Sequence, residues 1–77
     1  MPLISIKMYP GRTEEQKKQL ALALVKTAVE TLGTPETAFT VMFDEIAKEE
    51  WPEKVAQPEI EANAEKVYVR QGKLVKE

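Results

Sequence analysis

The sequence predicts an α+β fold built on one strand–helix–strand unit. Three observations predict it: a period-two strand at the amino terminus, a capped amphipathic helix behind it, and a second alternating strand beyond. From Leu3 to Tyr9, Ile4, Ile6 and Met8 fall on one face and Ser5 and Lys7 on the other, as in a strand with one covered side. Pro10-Gly11 stops that strand, because proline lacks the amide a ladder needs and glycine turns freely.

Thr13-Glu14-Glu15-Gln16 then reads as a capping box, with the threonine hydroxyl serving the amide three residues on and Gln16 reaching back. Glu14 and Glu15 suit the positive end of the helix dipole. Leu20, Leu24, Ala28 and Leu32, flanked by Ala21, Val25 and Val29, form an apolar stripe at helical spacing. Gly33 stands where a helix-ending glycine belongs, and Thr34-Pro35 cannot prolong the helix. Phe39 to Ile46 is the second strand, with Phe39, Val41 and Phe43 alternating against Thr40, Met42 and Asp44.

A strand–helix–strand crossover makes a parallel pair. Two strands and one helix leave one sheet face and both edges open, and so small a sheet is not stable alone. Two copies are therefore expected to join into a four-stranded sheet. Glu49 to Ala64, with Pro52 and Pro58, suggests one or two short helical turns. Val67, Val69, Leu74 and Val75 around Gln71-Gly72-Lys73 suggest a short hairpin or a terminal arm.

At 77 residues the chain is expected to be a single domain, residues 1–77, and short enough to need a staple or a partner. Neither cysteine nor histidine is present, so disulfides, zinc sites, cysteine nucleophiles and Ser-His-Asp triads are excluded, and self-association is the expected staple. No metal and no cofactor are expected. The net charge of −2, with both signs interspersed, argues against a nucleic-acid partner. No apolar run reaches membrane-spanning length and no signal-peptide pattern opens the chain, so a cytoplasmic location is the expectation. Any base must then be a carboxylate, a lysine, a tyrosine or the chain's own terminus.

Pro2 is the sharpest candidate. Removal of Met1 leaves a secondary amine at the start of a strand, and an α-amino group titrates near 7.7–8.0, closer to neutrality than lysine. Burial or a nearby cation lowers that value further. Tyr9 and Tyr68 read as packing residues. Asp44 and Glu45 point to opposite faces of their strand, and Lys48-Glu49-Glu50 reads as a solvated loop.

Residues 2 to 51 resemble the 4-oxalocrotonate tautomerase family. The resemblance is carried by the proline before a short strand, Gly11-Arg12-Thr13-Glu14-Glu15-Gln16-Lys17 opening the helix, and Pro35 leading into the second strand. Asp44-Glu45-Ile46-Ala47-Lys48 followed by Trp51 completes it. The longer carboxy-terminal part is similar to the branch that acts on phenylpyruvate-like enols and tends to form dimers rather than hexamers. The resemblance implies a tautomerase (macrophage migration inhibitory factor-like) fold. It also implies Pro2 as general base, Arg12 as the grip on a substrate carboxylate or a stabiliser of the enolate, and Trp51 as the pocket aromatic. Arg12 can serve its own subunit's pocket or a neighbour's. The second arginine of the enzymes acting on dicarboxylates would fall at Thr40, which is uncharged, so a monocarboxylate such as an arylpyruvate is expected instead.

The expected function is thus cofactor-independent keto–enol tautomerisation of a small-molecule 2-oxo acid by a homo-oligomer, a dimer rather than a hexamer. The alternative is a non-catalytic strand–helix–strand scaffold. The two part at the terminus, because a chain that keeps Met1 has Pro2 as an amide without a basic nitrogen.

Overall fold

The computed structural model describes residues 1–76, in two compact units, Met1–Glu45 and the segment from Ile46 onward. In the first, β1 (Leu3–Met8) and β2 (Thr40–Glu45) pair in parallel without slip, from Leu3 opposite Thr40 to Met8 opposite Glu45. Between them runs α1 (Glu14–Leu32). The expected capping box forms: the Gln16 amide donates to Thr13 Oγ1 at 3.1 Å, and the Thr13 amide donates to Gln16 Oε1 at 3.0 Å. Gly33 closes the helix at φ 74°, where its amide meets the Val29 carbonyl at 2.9 Å. A Cβ would be strained in that left-handed conformation. Thr13→Ala removes half of the box and is expected to cost about 1 kcal/mol, read as a lower midpoint in thermal melts followed by circular dichroism.

The packed face of α1 lies to one side of the expected stripe. Ala21, Leu24, Val25, Ala28 and Val29 are half-buried, whereas Leu20 and Leu32 stay exposed. The cause is helical drift, since each four-residue step advances the side chain about 40° around the axis, so a long i, i+4 row leaves the sheet at both ends. Ile4, Ile6, Met8, Val41 and Phe43 form the half-buried side of the sheet. The other side keeps Leu3, Met42 and the polar Ser5 and Thr40 exposed. α1 contains no fully buried residue.

Lys17 fastens the start of α1 to the far end of β2. Its stem is covered (14% exposed), while its ammonium meets Glu14 at 2.8 Å and Glu45 at 3.3 Å. The hydrogen bond from Lys17, reinforced by its charge, holds the Glu14 carboxyl below its ordinary 4.5. The bonds to Glu14 and then Glu45 raise Lys17 above its ordinary 10.5. Glu14 thus contributes stability above its unfolded pKa and loses it as the pH falls through its lowered folded value. Lys17 contributes below 10.5 and loses it as the pH rises through its raised folded value. Lys17→Met is expected to lower the melting temperature slightly at neutral pH. The difference from wild type should narrow in acid as the carboxylates protonate, a comparison differential scanning fluorimetry can make.

The second unit opens with a 3-10 turn, Lys48–Glu50, and continues as a wide π-type helix over Pro52–Glu61. This helix is longer than the one or two turns expected. Pro58 sits inside it, and the wide winding draws the carbonyl four residues back away from the proline ring, with which it would clash in an α-helix. The widened register shows in the Ala62 amide, which donates to Gln57 O at 3.0 Å. Asn63 Nδ2 then caps the end, donating to Pro58 O at 3.2 Å and Glu59 O at 3.1 Å. Val55, 5% exposed, is the one fully buried hydrophobic residue among those described. A further 3-10 turn at Ala64–Lys66 leads to the terminal hairpin, β3 (Val69–Arg70) against β4 (Lys73–Leu74), antiparallel around Gln71-Gly72. Among the described residues no helix is long and apolar enough to cross a membrane.

Candidate active site

Pro2 heads the parallel pair. It is half-buried, and its carbonyl accepts the Thr40 amide at 3.2 Å, which fixes the first residue of the chain's working end onto the start of β2. Met1 beyond it is fully exposed and packs on nothing. The fold therefore holds the Pro2 ring in place while leaving Met1 open to removal.

Arg12 lies at the opposite end of the same unit. Gly11, at φ 124°, makes the turn that follows β1, and Arg12 comes just before the Thr13 cap. It lines a concavity of about 210 Å³ with Met8, Gln16, Lys17 and Leu20. Among the described residues Arg12 forms no ion pair, whereas its neighbour Lys17 is held by two carboxylates. The guanidinium is thus the free cation of that concavity.

The six residues of β1 separate Pro2 from Arg12 by about 20 Å at roughly 3.3 Å per residue. The Lys17–Glu45 pair confirms that the start of α1, and Arg12 with it, belongs to the carboxy-terminal end of the strands. No arginine side chain spans that length, so Arg12 does not reach the Pro2 nitrogen of its own chain.

Trp51 belongs to the second unit, where it stands half-buried just before Pro52 at the head of the wide helix. It lines a cavity of about 500 Å³ together with Ala56, Ile60, Val67, Val69, Arg70 and Gln71. Sequence reasoning missed Arg70 and Gln71 as its companions. The two-residue Gln71-Gly72 turn was the signal that could have placed them, since it fixes which residues leave the hairpin together. Tyr68 is engaged as a packing partner, with the Lys76 ammonium 4.2 Å from its ring centroid. Glu45 is bound to Lys17 and Glu50 to Lys54, so neither serves as an uncommitted base.

Residues 2–53 match the family model described as tautomerase enzyme, a match that starts at the proline. A probable tautomerase of Bacillus cereus is 46% identical over 48 residues, which is 62% of this chain and 79% of the relative. A 2-hydroxymuconate tautomerase of Bacillus subtilis is 35% identical over 51 residues, 66% of this chain and 82% of the relative. Among solved structures, TomN, a 4-oxalocrotonate tautomerase homologue of the tomaymycin biosynthetic pathway, superposes with a TM-score of 0.63 at 30% identity. That superposition covers 96% of this chain and 88% of TomN. The parallel strand–helix–strand unit, the proline at its head and these likenesses set aside the scaffold alternative: the chain belongs to the tautomerase family and is an isomerase of the 4-oxalocrotonate tautomerase kind.

Proposed function

We propose that this tautomerase interconverts the enol and keto forms of a phenylpyruvate-like 2-oxo acid, with the Pro2 amine as general base once Met1 is gone. The observation that carries the proposal is the placement of Pro2: half-buried and pinned at the head of β1, where the family match begins, with Met1 fully exposed beside it. In the ketonising direction the proline nitrogen takes the proton of the 2-hydroxyl. The O–H pair becomes the second bond of the carbonyl, and the carbon–carbon double bond collects the proton back from the prolinium at C3. One positioned base supplies about 10²–10⁴-fold, and a cation at the developing oxyanion adds a comparable factor.

Arg12 supplies that cation from a neighbouring copy, because its own Pro2 is a strand's length away. A two-fold axis normal to the sheet at a strand edge places one copy's carboxy-terminal strand ends beside the other's amino-terminal ends. It also turns two parallel pairs into one four-stranded sheet with the exposed Leu3 and Met42 on its open face. We read residues 1–77 as one functional domain, a homodimer in preference to a hexamer, at work in the cytoplasm. Trp51 forms the apolar wall that keeps water from the reacting atoms.

The second reading is a dicarboxylate enol like that named for the Bacillus subtilis relative. Thr40, exposed and uncharged at the start of β2, favours the monocarboxylate. Rates of ketonisation measured side by side on phenylenolpyruvate and 2-hydroxymuconate decide between them. A higher kcat/KM on the latter overturns the arylpyruvate assignment, and no activity on either overturns the reaction class.

A further inference from the structure

The cavity around Trp51 contains a cation that the mechanism above leaves unused. We infer that this cavity seats the arylcarboxylate body of the substrate, with Arg70 as the specificity-determining residue that holds its carboxylate; the assignment rests on Trp51 being a pocket residue, as proposed above. At about 500 Å³ the cavity falls within the range of small-molecule sites, and its lining has their composition, mostly apolar with a few placed polar groups. Trp51, Ile60 and Val67 offer flat apolar surface to an aromatic ring. Among the described lining residues Arg70 alone is charged, so the cavity favours an anion.

Arg70 is also uncommitted. It forms no ion pair among the described residues, while the nearby Lys76 is engaged over the Tyr68 ring. Its planar donor fork matches a carboxylate in two hydrogen bonds, which an ammonium cannot reproduce. Gln71 adds an independent sign. It stands at φ 51°, in the first central position of a two-residue hairpin turn where asparagine, aspartate or glycine is the favoured choice. A longer amide kept in that costly conformation lines the same cavity beside Arg70, where it can donate to the same carboxylate.

This assignment divides the two roles left open for arginine. The anionic selectivity of the enzyme then resides in the hairpin, and the acceleration resides in Pro2 and Arg12.

Trp51 is the only tryptophan in the chain, so its emission reports on this cavity directly. The probe is hydrocinnamate, which has the phenylpyruvate skeleton without a group that tautomerises, set against the neutral hydrocinnamamide. Hydrocinnamate is expected to change Trp51 emission saturably in the full-length protein with Met1 removed, and to bind about tenfold more tightly than the amide. Arg70→Gln should abolish that preference by weakening the acid and leaving the amide unchanged, and Arg70→Lys should recover part of it. In turnover, Arg70→Gln should raise KM for phenylenolpyruvate about tenfold with little change in kcat. An acid-over-amide preference that survives Arg70→Gln overturns the assignment, as does a loss of amide binding equal to that of the acid. Pro2→Ala keeps the two readings separate. It is expected to retain hydrocinnamate binding while losing turnover, so full turnover in Pro2→Ala would remove the base and leave the Arg70 result standing.

Discussion

Pro2→Ala is expected to lower kcat for ketonisation of phenylenolpyruvate by about 10²–10⁴-fold while leaving KM within about threefold. The split follows from the role. The proline nitrogen acts on a proton in flight and contributes little to holding the substrate, so its loss removes stabilisation present only in the transition state. Alanine keeps a free α-amino group, but a primary and more mobile one, without the ring that the half-buried position and the Thr40–Pro2 hydrogen bond hold still. A chain that retains Met1 is a stricter control than the substitution. There the Pro2 nitrogen is an amide with no lone pair to offer, and activity should track the fraction of protein lacking Met1 by intact mass. The pH profile gives the same conclusion independently. kcat/KM should rise with pH through the titration of the free amine and level off above it, because only the uncharged form is a base. Its midpoint should lie below the ordinary α-amino range of about 7.7–8.0 wherever burial and a neighbouring guanidinium oppose the charge. Full activity in Pro2→Ala, or in protein shown to carry Met1 throughout, would remove the proline from the mechanism.

The first forty-five residues were readable in order because each local signal there agrees with its neighbour. The period of two through Ile4, Ile6 and Met8, the Thr13–Gln16 box and the Gly33 stop are all decided by residues within a few positions of one another. The parallel pairing of β1 with β2 then follows from the connecting helix. What the pattern missed depends on geometry that no short window holds. Leu20 and Leu32 belong to the apolar row by spacing, yet helical drift carries them off the sheet. The Lys17–Glu45 pair joins residues 28 positions apart, so nothing local announces it. The second unit was less legible for a related reason. Pro58 inside Pro52–Glu61 reads as a breaker, and only a wide helix closed by Asn63 accommodates it. Of the proposed site, Pro2 was singled out by the chemistry of a free terminal amine, and Arg12 and Trp51 were named from the resemblance. Arg70 and Gln71 were not, because a residue that shares a cavity with Trp51 from nineteen or twenty positions away leaves no periodic trace.

Mixing two inactive variants is expected to restore activity. Pro2→Ala lacks the base and keeps Arg12; Arg12→Gln keeps the base and lacks the cation, with an expected loss of about 10²–10³-fold. If each site takes its proline from one copy and its arginine from another, equal amounts of the two variants, refolded together, give both intact groups in about one quarter of the sites. Activity should therefore return to about one quarter of wild type, far above either parent. If Arg12 served its own chain, no hybrid site would hold both groups and the mixture would stay at the level of its parents. The separation of Pro2 and Arg12 by the length of β1 makes the second outcome incompatible with the role assigned to Arg12. Native mass spectrometry identifies the hybrid assemblies, so an inactive mixture in which hybrids are present would show that Arg12 does not act across the subunit boundary. The same measurement gives the copy number of the assembly. If two-copy hybrids, each with one intact site of two, account for the quarter regained by the mixture, no third chain is needed to complete a site.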